Sequence, residues 1–493
     1  MTCGSAARLG LVAALAGAVG AAVAADGGAT AADPRLVPWS ASTTDVLAAA
    51  AGVLNGQLAK ARAAQERPVP AGDDIAVIVL DTVRADRLGV YGYTKATSPA
   101  LDAWSKGARV YTRATSDAPW TLPAHASMFT GQYSRTHGAV SVGLADPRKA
   151  APLRDAAVTF AEILRDRGYE TVGIAANLGF LERSYGLSQG FDTWVCEDVV
   201  RDPRHSPYTP GDRMTAMALD YLGDKPTRPR LLFLNYMDAH APWVPRDGLT
   251  REPANIKKDV LPFRKEWMNN VRGLMGKGLL DPVVATSWSE AYDADLRYLD
   301  QQMAQVLPRL ADFEHVFILS DHGEALGEHT VVEHAKDVWQ ELVHVPFIAR
   351  SARHPAGRDS TLVQSHDLAW MVLEAAKVPV PSNMVRTKDL VVAEQYYTLK
   401  KELENPVFGA RFNHVYRAFR QGDTKVRVVD GAPTGTYDLA RDPGELLGTV
   451  ATPKGLDGVE ARWLATTPEA PPVPVEVPVD ENVDALRELG YVE

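Results

Sequence analysis

Four short apolar runs constrain this chain more than any other feature: residues 75–80 (Ile-Ala-Val-Ile-Val-Leu), 169–176, 231–237 and 316–319. The first is rich in β-branched residues and too short for most helices, and a buried parallel strand suits it best. Amphipathic helical patterns separate the runs, at 158–168, 214–222 and 289–310, with Gly168 as a stop. Strands alternating with helices through Ala376 argue for a doubly wound, mostly parallel sheet. Each run also delivers a polar group at its carboxyl end: Asp81, Asn177, Asp238 with His240, and Asp321 with His322. Open α/β sheets bind ligands beyond those ends. Two carboxylates and an imidazole meeting there make a divalent-metal site.

A second stretch supplies a hydroxyl. Residues 118–131 read as a loop mouth followed by a short helix, with Thr121 at the N-cap, Pro123 in the first turn and Gly131 as the left-handed stop. A hydroxyl there lies beside unpaired N–H groups and the positive end of the helix dipole, a seat for an anionic group. Taken alone, Thr121 is an ordinary cap; beside the strand-end acids it becomes a further metal ligand and an activated nucleophile.

The flanks bear on address and organisation. Arg8 precedes an Ala/Gly/Val/Leu run that ends in an Ala-x-Ala-like site near residue 24, so residues 1–25 read as a cleaved signal peptide; an uncleaved anchor is the alternative. Export to the periplasm or medium follows, with membrane contact only if the segment stays. Residues 26–72 read as a linker and one helix starting at Thr43/Thr44, 73–381 as the catalytic domain, and 382–493 as a small α+β subdomain with a proline-rich tail and a last short helix. Residues 252–282 show no clear period and read as a surface excursion over the site. The net charge of −10 argues against a nucleic-acid partner. Once the signal is lost, Cys196 stands alone and no internal disulfide can form.

Several motifs, in order and spacing, carry a resemblance. They are Val77-Ile-Val-Leu-Asp-Thr-Val-Arg-Ala-Asp86, Thr121-Leu-Pro-Ala-His-Ala-Ser-Met-Phe-Thr-Gly131, Asp238-Ala-His-Ala-Pro242 and Ser320-Asp-His-Gly-Glu-Ala-Leu-Gly-Glu-His329. Glu341-Leu-Val-His-Val-Pro-Phe347, Tyr437-Asp-Leu439, Asp442-Pro-Gly-Glu445 and the ending Leu486-Arg-Glu-Leu-Gly-Tyr-Val492 complete the set. From about residue 74 onward the sequence resembles the sulfatase family of the alkaline phosphatase superfamily. The resemblance implies an alkaline-phosphatase-like α/β sandwich with a small C-terminal subdomain. It also implies that Asp81, Asp321 and His322 hold the metal, that Thr121 takes the nucleophile position, and that His240 contacts the anionic oxygens or protonates the leaving group. His334 and Lys336 fall near a second cationic contact, and Asn177 near another oxyanion contact.

The departures bear on the chemistry. Familiar sulfatases carry Cys or Ser, oxidised to formylglycine, followed by x-Pro-x-Arg; here Thr121 and the substrate-contact position His125 stand instead. The family's Gly-Lys-Trp-His-Leu-Gly piece is replaced near Ile174-Ala-Ala-Asn-Leu-Gly179, and Thr82 replaces a second ligand Asp. A threonine ester cannot eliminate to an aldehyde, so attack by water on a phospho-threonine is the expected route. Phosphate or phosphonate mono- or diesters, free or linked to glycan or lipid, are therefore favoured as substrates. A sulfatase working without formylglycine and a non-catalytic anion-binding protein remain alternatives. The His322 nitrogen favours Mn²⁺ or Zn²⁺, where an all-oxygen set would take Ca²⁺; a second ion needs Asp238, His240 and His334 to converge.

Overall fold

The computed structural model describes residues 37–38, 43–144, 150–197, 200–201, 208–241, 243, 261–278 and 280–471. The expected signal segment, part of the expected linker, and the tail beyond residue 471 with the short helix expected there lie outside them.

An eight-stranded sheet forms the centre. Its strands in chain order are β1 (Ile75–Leu80), β2 (Arg109–Tyr111), β3 (Glu170–Ala175), β4 (Thr193–Val195), β5 (Arg230–Tyr236), β6 (His315–Leu319), β7 (Phe347–Arg350) and β8 (Gly357–Asp359). They lie in the order β8-β2-β7-β6-β1-β5-β3-β4. Only β7 runs antiparallel to its neighbours β2 and β6; the other pairs are parallel.

The strand alternation of side chains divides the core into two layers. Ala76, Ile78 and Leu80 of β1 pack into one apolar cluster with Leu54 and Leu58 of α1 (Thr43–Ala63), Met214 and Met217 of a helix Gly211–Leu222, and Leu296 and Leu299 of a helix Pro282–Val306. Ile75, Val77 and Val79 pack into the other, with Met128 and Phe129 of α2 (Thr121–Thr130), Phe160 and Leu164 of α3 (Phe160–Asp166), and Leu368 and Leu373 of a helix Asp367–Ala375. Burying both faces of β1 stabilises the fold by about 1.5–3 kcal/mol for each large aliphatic side chain, which is why the run is continuously apolar. The helices Gly211–Leu222, Leu261–Lys277, Pro282–Val306 and Asp367–Ala375 are α4 to α7.

A second, four-stranded antiparallel sheet follows: β9 (Val391–Tyr396), β10 (Val415–Gln421), β11 (Thr424–Val429) and β12 (Ala432–Asp438). Val392, Phe419, Val426 and Val428 pack there against Trp463 of α8 (Val459–Thr466). The Glu394 N–H donates to the Asp117 carbonyl at 2.8 Å, which ties this sheet to the segment entering α2.

The structure corrects three local expectations. Thr121 is the first residue of α2, and Trp120 holds the cap position without a side-chain cap. Part of the expected irregular excursion is helix α5, whose polar sequence hides its period. The helix expected from residue 289 begins at Pro282, because the Asp281 side chain accepts the Val283 N–H at 2.8 Å. Gly131 does close α2 in the left-handed region, at φ 64°.

Candidate active site

The strand order decides what meets. β6, β1, β5 and β3 are consecutive and parallel, with Val79 level with Leu319, Leu80 with Tyr236, and Ala175 with Asn235. Their carboxyl ends therefore open on one rim of the sheet, and α2 begins above it.

Asp81 leaves β1 fully buried. Its Oδ2 accepts Asn177 Nδ2 at 3.1 Å, while Oδ1 has no hydrogen-bond partner. Thr82 follows at φ 61°, a strained conformation for a β-branched residue. Its N–H donates to Asp321 Oδ1 at 3.2 Å and its hydroxyl to the Asp81 carbonyl at 2.7 Å, so the side chain faces the backbone, away from the acids. Asp321 Oδ1 also accepts the His322 N–H at 2.8 Å, leaving Oδ2 buried without a partner. His322 Nδ1 lies 2.9 Å from the Gly323 carbonyl, which places the ring proton there and leaves Nε2 as the basic nitrogen. That Nε2 lies 3.4 Å from Asp321 Oδ2, 3.8 Å from Asp81 Oδ1 and 3.5 Å from Thr121 Oγ1.

These atoms fit a cation. Tetrahedral bonds of about 2.1 Å, or octahedral bonds of about 2.4 Å, set neighbouring ligand atoms about 3.4 Å apart. The two orphaned carboxylate oxygens point the same way, since an unpartnered buried acceptor is costly. Burial, then repulsion from Asp321, pushes Asp81 up to about 8, and burial pushes Asp321 up to about 7. Burial also lowers His322 below the usual imidazole value, which suits a ligand.

The other expected residues are distributed unevenly. Asn177 bridges the centre, its Nδ2 donating to Thr121 Oγ1 at 3.3 Å as well as to Asp81. His240 and His334 converge edge to face, with ring centroids 4.7 Å apart. Burial holds His240 down to about 3 and His334 well below the usual range, the latter also repelled by His322. Lys336 is buried behind them; although burial opposes its charge, Glu402 and Glu333 at 2.7 and 3.2 Å keep it raised. His125, one turn beyond Thr121, is fully buried between Phe129 and Phe233, with Nδ1 2.9 Å from the Thr121 carbonyl and 3.6 Å from Asp321 Oδ2. Burial holds it down to about 3. Asp238 turns to the start of α4, where its Oδ1 accepts the Gly211 N–H at 3.0 Å, so it does not join His240 and His334.

Two buried groups at this rim carry no sequence-based role. Asn235 Oδ1 accepts the N–H groups of Ala176 and Asn177 at 3.2 and 3.1 Å, which fixes the Asn177 turn. A lone amide inside an apolar strand is the signal that can reveal it. Glu324 is the other, two residues past His322 and fully buried. Gly323 between them is required by close approach, since a Cβ there would lie 2.0 Å from the Glu341 carbonyl. Among the described residues a second acid–imidazole group, His329, Glu341 and Glu445, lies apart from this site; Lys425 Nζ already supplies a cation there, 2.9 Å from Glu445.

Comparison with known proteins adds to this geometry. A profile of the sulfatase family matches residues 73–378. The ulvan-active sulfatase of Formosa agariphila is 24% identical over 424 residues, which is 78% of each chain. The solved phosphonate monoester hydrolase of Silicibacter pomeroyi aligns with a TM-score of 0.58 at 17% identity, covering 80% of this chain and 94% of that one. A protein solved in complex with its substrate D-glucosamine-2-N,6-O-disulfate aligns with a TM-score of 0.58 at 15% identity, covering 80% and 96%. The fold is thus the alkaline-phosphatase-like sandwich expected from the motifs.

Proposed function

The chain belongs to the sulfatase family and is a hydrolase of ester bonds, and from that premise we propose that Thr121 is its nucleophile and that phosphate or phosphonate mono- or diesters are its substrates. The observation that carries this reading is the position of Thr121 Oγ1, 3.3 Å from Asn177 Nδ2 and 3.5 Å from His322 Nε2, beside two carboxylate oxygens with no partner. Asp81, Asp321 and His322 would hold one divalent ion, Mn²⁺ or Zn²⁺ ahead of Ca²⁺, with the Thr121 oxygen as a further ligand. Bound there, the ion would lower the pKa of the Thr121 hydroxyl and balance the charge of the transferring group.

The rest follows from the side chains. Thr121 Oγ1, its proton passed to solvent, forms a bond to phosphorus while the ester oxygen departs in line. His240 Nδ1–H rests on the Ala241 carbonyl, so a second proton on Nε2 is the one available to the leaving oxygen. Burial keeps that proton off in the free protein; the negative charge of a bound substrate favours the imidazolium. Water then attacks the phospho-threonine, giving a proton to His240, and the Thr121 oxygen takes a proton back from solvent as its bond to phosphorus breaks. Asn177 donates to the equatorial oxygens. Lys336 supplies the positive charge on the far side, shared with Glu333 and Glu402, while His334 in front of it is held neutral by burial. His125 braces the first turn of α2 rather than reaching substrate. With Asp238 engaged by α4, one ion suffices.

A second reading has a specific observation behind it: the likeness to the ulvan-active sulfatase favours a sulfated glycan as substrate. Metal-loaded protein assayed on aryl phosphate, phenylphosphonate and aryl sulfate esters separates the two. Added phosphate mass on the Thr121 peptide after quenching supports the first reading, and turnover of sulfate esters alone overturns it.

A further inference from the structure

Glu324 is fully buried, yet its carboxyl touches neither the proposed metal ligands nor the nucleophile in any contact described above. Its Oε1 lies 2.9 Å from His334 Nδ1, and its Oε2 accepts the Ala241 N–H at 3.2 Å. The Ala241 carbonyl is in turn 2.5 Å from His240 Nδ1. One carboxyl thus grips one imidazole directly and the other through the adjoining peptide. The His334 ring sits between the other two, with centroids 4.4 Å from His322 and 4.7 Å from His240.

Both main-chain groups of Ala241 are committed, its N–H to Glu324 and its carbonyl to the His240 ring. With Glu324 ionised, a proton on His334 Nδ1 directed at it selects the tautomer with basic Nε2 on the opposite ring edge, although burial raises that carboxyl well above its usual value. Rotation of His240 would break the Ala241 contact, and displacement of Ala241 would leave a fully buried carboxyl oxygen short of a donor. Backbone strain converges here too, since Glu333 and Ala335, on either side of His334, sit at φ 64° and 60°.

We propose that Glu324 is a positioning residue, which fixes the tautomer of His334 and the pitch of the His240 ring so that His240 Nε2 meets the departing ester oxygen. This rests on His240 being the proton donor, as read above. A carboxyl that merely satisfied a buried N–H would act on stability alone.

The test is the dependence of kcat on leaving group, read with metal-loaded enzyme on a series of aryl esters whose phenols span pKa values from about 4 to about 10. Glu324→Gln keeps the shape but has one acceptor oxygen in place of two, so it cannot accept from both the Ala241 N–H and His334 Nδ1. The expected result is a loss of about 100-fold on the poorest leaving group and only a few-fold on the best, with KM and bound metal little changed. His240→Gln should show the same steepening, and the double variant should be no slower than His240→Gln alone. Uniform loss across the series in Glu324→Gln, with steepening in His240→Gln, overturns the positioning role and leaves His240 standing. Uniform loss in His240→Gln overturns the proton-donor reading itself. If Glu324→Gln does not accumulate as folded protein, His334→Gln cuts the same link from the other end; steepening there supports the proposal, and uniform loss rejects it.

Discussion

Metal binding should expel protons, in a number the site determines. Asp81 at about 8 and Asp321 at about 7 are both raised above the ordinary carboxylate value, burial first and mutual repulsion second for Asp81. At pH 6.5 values raised this far leave the pair holding between about one and two protons in metal-free protein, and well above pH 8 almost none. A ligand set needs both carboxylates ionised, so binding one divalent ion at pH 6.5 should release between one and two protons. The logarithm of the affinity should then rise by between about one and two per pH unit near 6.5 and flatten once both carboxylates are ionised. The sign extends to stability. The folded metal-free protein binds more protons at this site than the unfolded chain between about pH 4 and 8, so this pair makes it less stable as pH rises through that window. Saturating metal removes that loss. Isothermal calorimetry of Mn²⁺ or Zn²⁺ binding at pH 6.5, in two buffers of different ionisation enthalpy, gives the proton number directly. Asp321→Asn should lower it below that of the wild type and weaken binding. Release of almost no protons would show that the carboxylates are not raised in the metal-free protein, and if Asp321→Asn also left the affinity unchanged the metal assignment would fail.

Other outcomes are equally direct. Thr121→Ser should keep measurable turnover while Thr121→Ala loses at least about 10³-fold in kcat; equal rates in the two would remove the hydroxyl from the chemistry. Gly323→Ala places a Cβ 2.0 Å from the Glu341 carbonyl and should cost about 1–3 kcal/mol of stability, seen as a lowered thermal midpoint even in metal-free protein. Phe233→Ala removes a ring that contacts His125, Phe129 and Trp194 and should cost about 3–5 kcal/mol in denaturant unfolding. Amino-terminal sequencing of protein recovered outside the cytoplasm should begin near residue 25; an intact Met1 on membrane-bound protein would favour an anchor.

The family motifs and the strand runs were legible because each depends on neighbours in sequence. β1 was bounded to the residue by its apolar run, and Gly131 by the left-handed turn its missing Cβ allows. Helix α5 was not, since its polar composition and weak period resemble a loop, and only packing shows which side is covered. The candidate site divides the same way. Asp81, Asp321, His322, Asn177 and Thr121 were readable from strand ends and motif spacing, and they do lie together. The departure of Asp238 toward Gly211 was not readable, because a carboxylate at a strand end can turn to metal or to a helix start with equal ease.

Local sequence sets the layers, the succession of strands and helices, and the chemistry carried at each strand end. Those follow from side-chain periodicity and backbone preference, which are local. Tertiary structure alone decided that β6, β1, β5 and β3 lie side by side, that His125 faces Phe129 and Phe233, and that Glu324 reaches His334 and Ala241. Such contacts join residues from tens to hundreds of positions apart in several cases. They are chosen by how buried polar groups find partners once the apolar faces have closed.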